Sequence, residues 1–160
     1  MGHITKVSRS EAIMRSNRSA LLCSAVATAT TATAVALAAP AAAAPGGPFN
    51  TLYSLTSGPC VAVVDSSVKG DAYPGSAAFT VATDLYGVGS CQLTVTLHWR
   101  NETTGQTGTE SVTPHGPGFW MNDGKSAIFS PGYGEIVGWV TVDQPHLGQS
   151  GEVPFTVTPL

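Results

Sequence analysis

The chain has 160 residues, 42% of them hydrophobic and only 11% charged, with seven Lys and Arg against ten Asp and Glu. Four of the seven basic residues, Lys6, Arg9, Arg15 and Arg18, come before residue 19, so the remainder is distinctly acidic. Phosphate backbones and anionic lipid repel such a surface, which argues against nucleic-acid and membrane-surface partners.

Residues 19–44, SALLCSAVATATTATAVALAAPAAAA, follow that basic start and end in a choice of Ala-x-Ala sites, the order of a secretory signal peptide. A retained membrane anchor would need about twenty strongly apolar residues, and here Thr28, Thr30, Thr31 and Thr33 interrupt a run built mainly of small alanines. Cleavage is expected between Ala43 and Ala44, removing residues 1–43. Cys23 precedes most of the apolar stretch and follows Leu22, which does not suit lipoprotein processing; no adjacent Arg pair marks the twin-arginine route. Met14 is an alternative start, since Arg15 and Arg18 alone supply a basic leader.

Residues 44–160 carry three basic side chains, Lys69, Arg100 and Lys125, against nine acidic ones, a formal charge of −6. Their length suits one ordinary domain. Residues 44–50 read as a short Pro/Gly linker and 51–160 as the folded part. Within it Cys60 and Cys91 are expected to pair, because an oxidising compartment joins two cysteines of a small domain by default. Thirty intervening residues do not suit a redox or metal-binding thiol pair, which needs close spacing.

The hydrophobic period is two. Cys91, Leu93, Val95, Leu97 and Trp99 share one face, while Gln92, Thr94, Thr96, His98 and Arg100 share the other, which predicts one strand with a buried side. Cys91 lies in phase with the buried set, so its sulfur should meet a second strand carrying Cys60, Ala62 and Val64 and tie two sheets together. Further strands are predicted at 51–55, 77–83, 107–113, 126–129, 135–142 and 153–158, separated by turn signals such as Ser57-Gly58-Pro59, Tyr73-Pro74-Gly75, Thr103-Thr104-Gly105-Gln106 and Asp123-Gly124. No helical stretch survives this punctuation. The expected fold class is all-β, an immunoglobulin-like Greek-key β-sandwich of about seven or eight strands with one inter-sheet disulfide, a small β-barrel being the alternative.

Catalytic signals are thin. No Ser sits in a G-x-S-x-G elbow, and His98, His115 and His146 lack the spacing of a zinc site. His115-Gly116-Pro117-Gly118 is a poor oxyanion loop because Pro has no N–H to donate. Gly124-Lys125-Ser126 lacks the earlier glycine of a phosphate-binding loop, Phe119 standing in its place, and the acidic loops lack the density of a calcium site. Asn101-Glu102-Thr103 is a formal glycosylation sequon in a predicted turn.

The candidate functional surface is Gly118-Phe119-Trp120-Met121-Asn122. Three consecutive large apolar residues on one strand cannot all face one core, so at least one should point outward, unless a long loop covers the strand on its other side. Tyr133, between Gly132 and Gly134, and the turn residues Tyr73 and Tyr86 would extend the surface if their loops gathered at one end. Phe119, Trp120 and Tyr133 are therefore the expected binding residues, and replacing Trp120 with Ala should weaken binding without lowering thermal stability.

The alanine-rich leader, the Ala-Pro-Gly start at residue 44, the Cys60/Cys91 pair and the period-two strands together resemble the small secreted immunoglobulin-like proteins of actinobacteria. That resemblance implies fold and export and carries no functional residues. Trp99-Arg100-Asn101 is similar in its first two residues to the Trp-Arg-Tyr turn of secreted α-amylase inhibitors, but departs at the third and lacks that family's second disulfide. The expectation is a non-catalytic secreted binding module for an unidentified protein, glycan or small apolar ligand, with no cofactor and no metal. The alternatives are a small secreted enzyme inhibitor or hydrolase, or a structural component of the cell envelope. A component of that last kind should self-associate through strand edges.

Overall fold

The protein is described by a computed structural model covering residues 43–122 and 127–159. The expected leader up to residue 42, Cys23 and the 123–126 turn lie outside the described residues. Thirteen strands are present and, among the described residues, no helix: β1 (Gly46–Pro48), β2 (Leu52–Leu55), β3 (Cys60–Tyr73), β4 (Ser76–Gly87), β5 (Cys91–Gln92), β6 (Val95–Asn101), β7 (Thr107–Val112), β8 (His115–Gly116), β9 (Gly118–Met121), β10 (Ile128–Phe129), β11 (Gly134–Val142), β12 (His146–Leu147) and β13 (Glu152–Val157).

Two antiparallel sheets pack face to face. The larger runs β12-β2-β3-β4-β10, with β1 continuing beside β3 where β2 stops and β9 sharing the free edge of β4 with β10. The smaller runs β13-β11-β6-β7, and β5 and β8 form a separate two-stranded sheet. Strict alternation makes the core. Leu52, Val64, Val68, Phe79 and Val81 from the large sheet meet Val95, Leu97, Ile136, Phe155 and Val157 from the small one, all almost inaccessible to solvent. Phe129 and Phe155 cross the gap edge to face, their centroids 6.1 Å apart.

At one end a β-bulge in β3 between Lys69 and Tyr73 brings the sheets together. Gly70 lies so close to the backbone carbonyl of Thr156 in β13 that no side chain fits there. Asp71, in the left-handed region at φ 49°, accepts hydrogen bonds from the Thr158 amide at 2.8 Å and its hydroxyl at 3.0 Å. The end of the chain is thus fastened to the bulge.

The strand expected from Cys91 to Arg100 keeps its alternation but not its continuity. Leu93 and Thr94 leave the ladder: the Leu93 amide donates to the Pro114 carbonyl, and the Thr94 amide to Asp143 Oδ1. The Cys60–Cys91 disulfide forms, but it ties the start of β3 to the two-stranded β5-β8 sheet rather than to the four-stranded sheet. Trp99 is in phase with the core yet only half-buried, since it lies at the rim, over Gly108 of β7, where an added Cβ would strike the indole.

Candidate functional site

Trp120 and Phe119 part ways because β9 alternates along the edge of β4. Trp120 is paired with Thr83, whose side chain points into the core, and is itself half-buried and packed against the core cluster. Phe119 is paired with Asp84 on the opposite side of the sheet and is 67% exposed, and Met121, two residues on, shares that outer side. Asn122, flanking them, is buried rather than presented. Its amide donates to the Phe79 carbonyl and its Oδ1 accepts the Val81 amide, so one side chain fills the gap in the β4 edge between β9 and β10.

Tyr133 does not join Phe119. Its ring packs against Gly75, in the turn joining β3 to β4. Phe119 lies beside Asp84, eight residues along β4 from its first residue Ser76, which at the rise of an extended strand is about 26 Å. Tyr73 belongs with Tyr133 at the turn end, whereas Tyr86 lies on the outer face with Phe119.

That outer face is where the exposed apolar side chains collect. One register line crosses five strands, Leu147, Tyr53, Val63, Asp84 and Phe119; a second crosses three, Leu55, Val61 and Tyr86. Among the described residues, seven of the ten exposed large apolar ones, Tyr53, Leu55, Val61, Tyr86, Phe119, Met121 and Leu147, lie on this one face. Solvated sheet faces normally carry polar side chains. Beside β12, where the sheet ends, Tyr53, Leu55, Val61, Pro145 and Leu147 line an apolar groove of about 380 Å³.

Two carboxylates are set among the apolar side chains of the face, and Lys69, on the same side of β3, stands beyond them opposite Ala78. Asp84 lies between Val63 and Phe119, and Asp65 beside Ala82, where it accepts a 2.6 Å hydrogen bond from the Thr51 hydroxyl. Among the described residues the ion pair is Arg100–Glu102, on the other sheet; Glu102 raises the Arg100 pKa further through that hydrogen bond and charge pair.

The described histidines have separate hydrogen-bond surroundings. His98 Nε2 meets the Thr141 hydroxyl at 2.8 Å, His146 Nδ1 donates to the Gln144 carbonyl, and His115 is exposed on β8. No group of three His, Cys, Asp or Glu suited to a metal ion is found among the described residues. The sequon Asn101 is fully buried, and its amide donates to the carbonyls of Pro131 and Tyr133, which leaves it inaccessible to a glycosyl carrier.

Sequence reasoning singled out Phe119 but missed Tyr53, Leu55, Val61 and Leu147. The 51–55 segment alternates regularly, and its exposed positions are as apolar as its buried ones, a departure from apolar-in, polar-out patterning that was readable in the residues themselves. No protein-family model, curated protein or solved structure matches this chain.

Proposed function

We propose that this protein is a secreted, non-catalytic binding module of immunoglobulin-like Greek-key type. It docks a basic, apolar polypeptide surface on the outer face of its seven-stranded sheet. The observation that carries the reading is the collection of seven exposed large apolar side chains, Phe119 among them, on one face of β12, β2, β3, β4 and β9, six of them in two register lines. The charge of the occupant follows from the setting. Asp65 and Asp84 stand within the face and the domain carries −6 overall, so a partner bearing Lys or Arg among its apolar residues is attracted and an acidic one repelled.

Two features support the finer fold. The order β12-β2-β3-β4 has three consecutive antiparallel strands and, after β5 to β11, a later strand that returns beside the first, a spatial order in keeping with a Greek key. The order β13-β11-β6-β7 is that of the immunoglobulin sheet built from its last two strands and its third, with an added hairpin partner. Export is supported by the leader composition and by the disulfide.

A short amphipathic Leu/Lys peptide and its Leu/Glu counterpart test the reading by calorimetric titration. The Lys peptide is expected to bind with Kd on the order of 10 µM and the Glu peptide not measurably. Replacing Leu55 and Leu147 together with Ser should weaken the Lys peptide by at least about tenfold without moving the melting temperature, because both side chains are exposed. Equal binding of the two peptides, or undiminished binding by the double variant, contradicts the proposal.

A further inference from the structure

The four-stranded sheet has an outer face of its own, and there the aromatic surface is held rather than merely exposed. Trp139 on β11 stacks on its cross-strand neighbour His98 on β6, centroids 5.5 Å apart and planes within 10°. The imidazole is fixed in turn by its 2.8 Å hydrogen bond with the Thr141 hydroxyl, two residues along β11. An indole braced in this way presents its other side, toward β13, with little rotamer freedom left to lose on binding.

On that other side the sheet has a notch. β13 begins at Glu152, directly opposite Trp139, so the part of β11 from Val140 to Val142, paired with β6 on one side, has no strand on the other. The Ser150 hydroxyl satisfies the Val140 amide at 2.8 Å, and the loop residues Gln149 to Gly151 form the wall there instead of a strand. The space left is about 330 Å³, lined by Trp139, Thr141, His146, Gln149, Gly151 and Glu152. Its rim offers a carboxylate, a primary amide and an imidazole whose Nδ1 is already engaged with the Gln144 carbonyl, leaving Nε2. No Lys or Arg lines it.

We infer that this notch binds a neutral pyranose ring, stacked by its apolar C–H face on the free side of Trp139 with its hydroxyls bonded to Glu152, Gln149 and His146. A pyranose joins an apolar face to a girdle of hydroxyls that both donate and accept, which is the pattern of one aromatic plane inside a mixed polar rim. The wall chemistry separates it from other ligands. An anion meets the Glu152 carboxylate with no Lys or Arg in the lining, and Arg100, which feels the Glu152 charge from outside the notch, is already paired with Glu102. An organic cation would be attracted by the indole and by Glu152, but would leave the amide and imidazole unused and would find one aromatic face rather than a cage. The notch borders the groove of the larger sheet at His146, but Trp139, Gln149 and Glu152 belong to the notch and not to the groove, so variants at these residues test this inference apart from the peptide-docking reading.

The test is an NMR titration of the protein with methyl β-D-glucopyranoside, methyl β-D-galactopyranoside and methyl α-D-mannopyranoside, followed through the Trp139 indole N–H and the Gln149 and Gly151 amides. At least one glycoside is expected to shift these signals saturably with Kd on the order of 1 mM, the range open to one small ring in an open site. Trp139→Ala should abolish the amide shifts and Trp139→Phe retain them, weakened by about tenfold or less. Should Trp139→Ala fail to fold, Gln149→Ala in the exposed loop replaces it and is expected to weaken binding about tenfold. Absence of shifts with all three glycosides overturns the inference, as do shifts that survive Trp139→Ala or, where Gln149→Ala stands in, shifts that this variant leaves unweakened. Tetramethylammonium and Glu152→Gln settle the rival: a saturable tetramethylammonium response lost in Glu152→Gln, with the glycosides silent, makes the notch a cation site. Glycoside binding that persists in Glu152→Gln supports the pyranose.

Discussion

Asn101 sits at the end of β6 with no accessible surface, and its side chain holds two loops together. The amide donates to the carbonyls of Pro131 and Tyr133 at 3.2 and 3.0 Å, and Oδ1 accepts the amides of Thr103 and Thr104, both at 3.0 Å. Alanine leaves these backbone groups without their partners, the Pro131 carbonyl in a buried place and the others in partly buried ones. A loss of about 2 to 4 kcal/mol is therefore expected for Asn101→Ala in urea unfolding, and less than about 1 kcal/mol would mean that water replaces the bonds. Side-chain bonding of this kind is invisible in the sequence, where the same Asn reads as a sequon; only burial separates the two readings. Trp120 gives the same lesson. Its tripeptide requires one residue to face outward, but which one depends on the register of β9 against β4, and that register puts Trp120 inside and Phe119 outside. Loss of stability, not only of binding, is the consequence of removing Trp120.

At the scale of elements, regular alternation was legible and pairing was not. The eight segments whose side chains alternate over four residues or more, or end at strong turn signals, all correspond to strands, with the 91–100 segment divided by its excursion at Leu93 and Thr94. β1 and β12 are two or three residues long and exist only because a longer neighbour offers its edge, and β8 pairs with the equally short β5, so no local pattern announces them. β7 shows how such an edge is kept single. It closes the four-stranded sheet, and of its core-side positions Gly108 is covered by Trp99 while Glu110 stands opposite the fully buried Leu97 yet remains exposed. A charge turned inward at an edge resists a second copy, which would have to bury it. Glu110→Val removes that charge and supplies a β-branched residue. The variant is expected to form concentration-dependent larger species in sedimentation velocity where the parent, at equal concentration, does not. Identical profiles would mean that the β7 edge is protected by something other than Glu110. The same charge counts against an envelope component assembled through this edge.

Over the whole molecule, the sandwich is closed by different devices at its two ends. At the bulge end Gly70, Asp71 and Thr158 join the sheets without a covalent bond, by close backbone approach and paired hydrogen bonds. At the other end the chain leaves the large sheet at Gly87, crosses Val88 to Ser90, and enters a two-residue strand outside both main sheets. Little apolar surface can be buried by so short a strand, so β5-β8 depends on the Cys60–Cys91 bond for its position. The bond joins cysteines 31 positions apart, and restricting the unfolded chain to that extent is worth roughly 3 to 4 kcal/mol. A domain of this size commands only about 5 to 15 kcal/mol in total, so reduction should lower its unfolding free energy by a third or so without abolishing the fold. The loss should also be uneven. Amide exchange in the reduced protein is expected to accelerate first at Gln92, which donates to the Ser57 carbonyl from β5, while Leu97 and Ile136 in the four-stranded sheet stay protected. Uniform acceleration across both sheets would instead make the disulfide a fastening of the whole sandwich. That is the role the sequence assigns it by placing Cys91 in phase with the core, and the two residues that leave the ladder at Leu93 and Thr94 confine the bond to one end.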